Sequence, residues 1–326
     1  MKNLLVTICM FLAVFQANAQ FYKTPFAHTY SVVAMDENTG DMGAAVQSHW
    51  FATGAVVIWG EAGVGVVATQ SFVNISFGMR GIELLKLGYT PQQTIDTLLA
   101  TDSGREFRQL AILNSKGEVA AFTGKNCIAE AGHVTDKNFS VQANMMLKNT
   151  VWNAMATSFK KNNKLPLAER MLATLKAAQA EGGDIRGMQS AAILVVRAKP
   201  TGNKWEDVLV NIRVDDHTTP LVELDRLLNV HNAYNYMNEG DLAIEKKDMQ
   251  LAKELYAKAE TLYPNNEEMK YWQAVSLANM GNLAEALPMF KIVFAKNENW
   301  RDLTKRLVPV KLLTVSDTDL QKILKQ

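Results

Sequence analysis

The chain is poor in the residues that staple or metallate a fold. Only two of its 326 residues are cysteine, Cys9 and Cys127, and Cys9 lies inside an apolar N-terminal run, so no disulfide is expected in the mature chain. Its five histidines are scattered without zinc-like spacing, and neither a metal centre nor a cofactor is expected. An excess of one charge is lacking too. The 34 basic and 33 acidic residues leave a net charge of +1, which argues against nucleic acid or an anionic membrane surface as partner. No segment is low in complexity. One long apolar run exists, at residues 4–15, with Lys2 before it and Ala17, Asn18 and Ala19 after it. That pattern predicts a signal peptide over 1–19, cleavage before Gln20, and a periplasmic or secreted protein with no membrane span in its mature chain.

What is present changes in texture near Leu228. Before it stand apolar strands and glycines; after it stand Lys, Glu, Ala, Asn and Leu at helical spacing. Residues 30–36 form a β-branched run, and Asn38, Thr39, Gly40 and Asp41 are hairpin-turn types. The next strand, 42–48, is small and apolar on both faces until Gln47 and Ser48, as expected of a strand buried between layers with polar groups at its far end. Further strands are expected over 55–59, 63–69, 109–114, 118–123, 139–145, 189–197 and 207–214, with Gln70 and Ser71 beginning a turn. Helices are expected over 77–87, 91–99, 151–160 and 166–181, and another starts at 221. Thr90 and Pro91 supply an N-cap and a first helical position. Strands apolar on both faces, interleaved with helix pairs, predict an α+β fold: a four-layer αββα sandwich over 29–230.

The remainder, 231–326, carries a 34-residue repeat. Ala252 recurs as Ala286, Tyr256 as Phe290 and Gly240 as Ala274, with Ala259 and Pro264 completing the first copy. Small residue, aromatic, small residue and proline in that order match the tetratricopeptide pattern, so an all-α helical segment is expected. It either packs on the first domain or docks a protein partner.

The motifs TYSVVAMDENTG, AAVQSHWFATGAVV, EAGVGVVATQSFVN, GREFRQLAI, NFSVQANM, GGDIRGMQSAA and RVDDHTTPLVELDRLL resemble, together, the domain-of-unknown-function family numbered 1028, which is grouped by fold with the N-terminal nucleophile hydrolases. The resemblance covers roughly residues 29–228. It implies hydrolysis of a small amide or peptide, with Thr29 as nucleophile and its own α-amine as base, since that amine titrates near neutrality. Signal cleavage before Gln20 leaves a leader, 20–28, in front of Thr29, and the amine exists only if that leader is removed. The competing reading keeps Thr29 as a strand residue in a non-catalytic envelope protein that uses the scaffold for binding or assembly, with homo-oligomers possible in either case.

Other candidates carry paired readings. Ser48 and Asn144 stand as catalytic candidates, Asn144 as an oxyanion donor; Gln47, Thr69 and Gln70 either face the same cleft or close strand ends. Arg105, beside Glu106 and Arg108, holds a substrate carboxylate or forms surface ion pairs. Asp184 and Arg186 form a polar turn that contacts ligand or shapes the chain. In the cluster Arg213, Asp215, Asp216 and His217, the last two either bind substrate or cap the following helix, with Arg213 paired to a carboxylate. Cys127 is a thiol nucleophile or a small buried residue.

Overall fold

The computed structural model describes residues 26–264 and 266–326. The signal-peptide reading and most of the leader lie outside the described residues. By packing, the described chain divides into two compact units, one ending at Arg226 and the other spanning Leu227–Gln326; the division falls beside Leu228.

The first unit is built on two antiparallel sheets. One contains β1 (Phe26–Ala27), β4 (Ile58–Glu61), β5 (Gly65–Phe72), β6 (Arg108–Asn114) and β7 (Val119–Thr123), in the order β1-β5-β6-β7 with β4 also on β5. The other contains β2 (Thr29–Met35), β3 (Met42–Ser48), β8 (Gly132–Asp136), β9 (Phe139–Ala143), β10 (Ser190–Val196) and β11 (Val208–Val214), in the order β11-β10-β3-β2-β9-β8. β2 and β9 lie against β5 and β6 across the space between the sheets. Helices α1 (Ser76–Lys86) and α2 (Pro91–Ala100) pack on the first sheet, α3 (Val151–Lys161) and α4 (Leu167–Ala180) on the second.

Alternation of side chains explains why these strands read as continuous apolar runs. On β5 and β6, Val66, Ala68, Ala111 and Leu113 join Val33, Met42, Ala44 and Val46 in the core between the sheets. Their neighbours Val67, Leu110 and Ile112 turn the other way, into a second core with Phe77, Ile82, Ile95 and Leu98 of the helices. Close approach demands glycine where α1 crosses β4: a Cβ on Gly78 would stand 2.2 Å from the Trp59 indole. α2 starts on the expected residues: Thr90 accepts from Gln93 N, and the Gln93 side chain returns the bond to Thr90 N.

Three departures from the sequence reading matter for the site. Gln70 and Ser71 lie inside β5, not in a turn. β8 is an additional, half-exposed strand. Phe26 and Ala27, in the expected leader, pair with Phe72 and Ser71 of β5.

The second unit takes in most of α5 (Pro220–Glu245), which begins in the first, then α6 (Met249–Leu262), α7 (Glu267–Asn279), α8 (Leu283–Lys296), α9 (Asn299–Leu307) and α10 (Asp317–Leu324). α6 and α8 are 14 residues each. Ala252, Tyr256 and Ala259 share one core with Ala233 and Met237; Tyr271, Ala274, Ala286 and Phe290 form another. Pro264 follows the end of α6. No helix among the described residues is long and apolar enough to cross a membrane.

Candidate functional site

Strand register gathers hydroxyls at one end of the second sheet. Thr29 opens β2 directly opposite Ser48, the last residue of β3, and Ser48 is in turn opposite Ser190, the first residue of β10. Thr29, Ser48 and Ser190 are fully buried, and alternation directs them toward the same face as Ser31 and Val33, the face that meets the other sheet. Ser190 closes the row by donating to Trp50 O and accepting from Thr53 N.

The peptide group joining His28 to Thr29 is held by two side chains at this end. The His28 carbonyl accepts from Ser48 Oγ at 2.6 Å and from Arg186 Nη2 at 2.8 Å. Arg186 is aimed by Asp184, whose Oδ1 takes Arg186 N and Nε and whose Oδ2 takes Nη2 at 2.7 Å. The Asp184 side chain is itself fully buried, and its Oδ2 also accepts from His49 N. Such a carboxylate fixes a guanidinium by paired, charge-assisted bonds. The next carbonyl, Thr29 O, accepts from Asn144 N, Asn144 Nδ2 and Gln70 Nε2.

Asn144 faces both ways: Nδ2 donates to Thr29 O and Gln109 Oε1, so Oδ1 is left to accept from His28 Nδ1 at 2.9 Å. Burial holds the His28 imidazole below its usual 6.5, and the Arg186 charge adds to that against the Asn144 bond and the Asp184 charge. Burial, with Asp184 reinforcing it, pushes the Tyr30 phenol up.

Behind these groups runs a chain of buried side chains between the sheets, with every donor pointing the same way. Ser140 Oγ donates to Gln142 Oε1, Gln142 Nε2 to Ser31 Oγ, Ser31 Oγ to Gln70 Oε1, Gln70 Nε2 to Gln109 Oε1, and Gln109 Nε2 to Thr123 Oγ1. Thr123 Oγ1 meets His133 Nδ1 at 2.8 Å. Aligned chains of this kind strengthen each member by polarisation.

Of the candidates from sequence, Thr29, Ser48, Gln70, Asn144, Asp184 and Arg186 are therefore brought together. Others stand apart. Gln47 turns to the opposite face beside Tyr30, and neither of its amide atoms has a partner among the described residues. Thr69 faces away from Gln70 and its Oγ1 reaches Asn74 O. Arg105 is half exposed beside Glu106; Arg108 is the buried one, bonded to Asp102 at 2.7 Å and donating to Phe72 O. Asp216 is exposed and accepts from Gln189, while His217 Nδ1 accepts from Thr219 N just before α5. Arg213 pairs with Asp215 at 3.0 Å, so this cluster has the bonding of a strand-to-helix junction. Burial raises the Cys127 thiol, which weakens it as a nucleophile. Among the described residues no group of three His, Cys, Asp or Glu side chains is placed to hold a metal.

Sequence reasoning missed His28, Gln109, Thr123, His133 and Gln142. The available signal was glutamine recurring within apolar strands, in VVATQS, RQLAI and FSVQA.

Comparison with known proteins adds to this geometry. No curated protein matches the chain. A crystal structure of protein SPO2555 from Silicibacter pomeroyi, of the DUF1028 family, matches with a TM-score of 0.56 and 31% identity, covering 62% of this chain and 85% of that one. Anbu, an ancestral beta-subunit from Yersinia bercovieri, overlaps more loosely, with a TM-score of 0.31, 10% identity and coverage of 60% of this chain and 91% of that one. The model of the family of unknown function DUF1028 matches residues 29–224, a stretch that opens on Thr29 itself. The chain belongs to the DUF1028 family.

Proposed function

We propose that this chain is an exported amide hydrolase of the N-terminal nucleophile type, an αββα sandwich whose nucleophile is Thr29 and which first cleaves its own His28–Thr29 bond. One observation carries the reading: the carbonyl of that bond already receives a hydroxyl and a guanidinium, the kind of donors that stabilise a developing oxyanion. In the cleavage step Thr29 Oγ1 bonds to the His28 carbonyl carbon, and the negative charge gathers on the oxygen held by Ser48 and Arg186. The Thr29 nitrogen then leaves with the hydroxyl proton, giving an ester. Water hydrolyses the ester to a His28 carboxylate and restores the Thr29 hydroxyl, now beside a free α-amine. That amine is a base suited to neutral pH, and the same hydroxyl would attack a small amide or peptide. The tetratricopeptide-like spacing of the second unit suits it to docking a protein partner.

The test is the intact mass and N-terminal residue of the protein recovered from the exported compartment. A start at Thr29, lost in Thr29→Ala, is expected; a wild-type start at Gln20 sinks the proposal. The alternative, a non-catalytic envelope binding protein, has its own observation. Phe26 and Ala27 are paired into the sheet and His28 is 2% exposed, so the uncut chain is seated firmly, and uncut it leaves Thr29 with a non-basic amide nitrogen.

A further inference from the structure

At the end of β7 and the start of β8 an open cavity of about 560 Å³ is lined by Thr123, Lys125, Cys127, Glu130 and His133 among others. Its size is in the range of small-molecule sites, and Ser48, Asn144, Asp184 and Arg186 do not line it. The buried chain reaches this wall at His133. Gln109 Nε2 lies within hydrogen-bond distance of the main-chain carbonyls of Gly132 and Ala143 and of Thr123 Oγ1, so the nitrogen end of that amide is set by carbonyls that cannot be reversed. Thr123 Oγ1 and His133 Nδ1 share a hydrogen bond of 2.8 Å. Burial holds His133 below 6.5 and so favours the neutral ring, whose Nε2 carries the proton when Nδ1 accepts from Thr123. Nε2 has no partner among the described residues. The cavity is thus lined by an imidazole, a lysine and a glutamate, His133, Lys125 and Glu130.

We propose that this cavity is a second small-molecule site, for a ligand bearing both a carboxylate and an ammonium group, of which a free α-amino acid is the simplest. Its carboxylate meets His133 Nε2–H and Lys125, and its ammonium meets Glu130. A purely anionic ligand would face Glu130, and a purely cationic one Lys125, so the mixed lining selects a zwitterion. Because His133 ends the chain that begins at Ser140 and passes Gln109, which Asn144 also touches, occupancy is linked through hydrogen bonds to the His28–Thr29 peptide. The inference stands whether or not Thr29 is a nucleophile.

The experiment is calorimetric titration of the full chain with glycine, L-leucine and L-glutamate, with acetate and methylamine as single-charge controls. At least one amino acid is expected to bind about tenfold or more tightly than either control. Lys125→Ala is expected to weaken both the amino acid and acetate, and Glu130→Gln to weaken the amino acid about tenfold while sparing acetate. The proposal is overturned if no amino acid exceeds the controls, or if both variants leave its binding unchanged.

Discussion

Ser48 and Arg186 hold the same carbonyl by different means, and substitution should separate them. Ser48→Ala removes one neutral donor and is expected to slow self-cleavage about 10²-fold, the usual cost of one oxyanion donor. Arg186→Ala also strips the fully buried Asp184 carboxylate of its counter-charge, so it should lower stability by about 3–5 kcal/mol besides abolishing cleavage. Time courses of intact mass, with urea unfolding of each variant, distinguish the two. The imidazoles give a further expectation. His28 and His133 both titrate below 6.5 in the fold, so below that pH the unfolded chain takes up protons that the folded one refuses. Stability is therefore complete above about pH 6.5 and falls as pH drops from there toward their folded values, which urea titrations between pH 7 and 5 would register. At this scale the sequence was half legible. Thr29 stood out through the family resemblance, and Ser48 and Asn144 as polar residues at the ends of apolar strands, whereas His28 and His133 acquire meaning only from partners 116 and 10 positions away.

Helices and most strands were legible because their periods and punctuation are local: Thr90 and Pro91 start α2, and β6, buried on both faces, reads as a continuous apolar run bounded by polar residues. Thr90→Ala removes the reciprocal cap and is expected to cost about 1 kcal/mol, read as a lower urea midpoint with unchanged slope. β8 escaped notice because Gly132, His133, Val134, Thr135 and Asp136 form a short edge strand with little apolar surface to mark it. Gln70 and Ser71 looked like a turn because polar residues usually end strands; here they extend β5 through a polar part of the interior, and Ser71 adopts a φ of 73°. Of the register joining Thr29, Ser48 and Ser190, the β2–β3 part belongs to a hairpin that its turn residues announce, whereas β3 and β10 pair residues more than a hundred positions apart, which no local pattern encodes.

Across the whole molecule, each unit has an apolar interior of its own. The clusters around Tyr256 and around Phe290 draw only on residues beyond Arg226, and the clusters around Val33 and around Phe77 only on residues before it. Phe290→Ala is accordingly expected to cost about 3–5 kcal/mol in the second unit, seen by calorimetry as one transition moving down while the other stays. The space between the two sheets is itself uneven along its length. Around Met35 and Met42 it is filled by hydrocarbon, and around Gln70, Gln109 and Gln142 by linked amides. Apolar contact weakens on cooling, whereas hydrogen bonds gain nothing from warming. The sandwich should thus have a cold end and a hot end: chilling loosens it first at the methionines, and heat first where the amides meet, next to the His28–Thr29 bond.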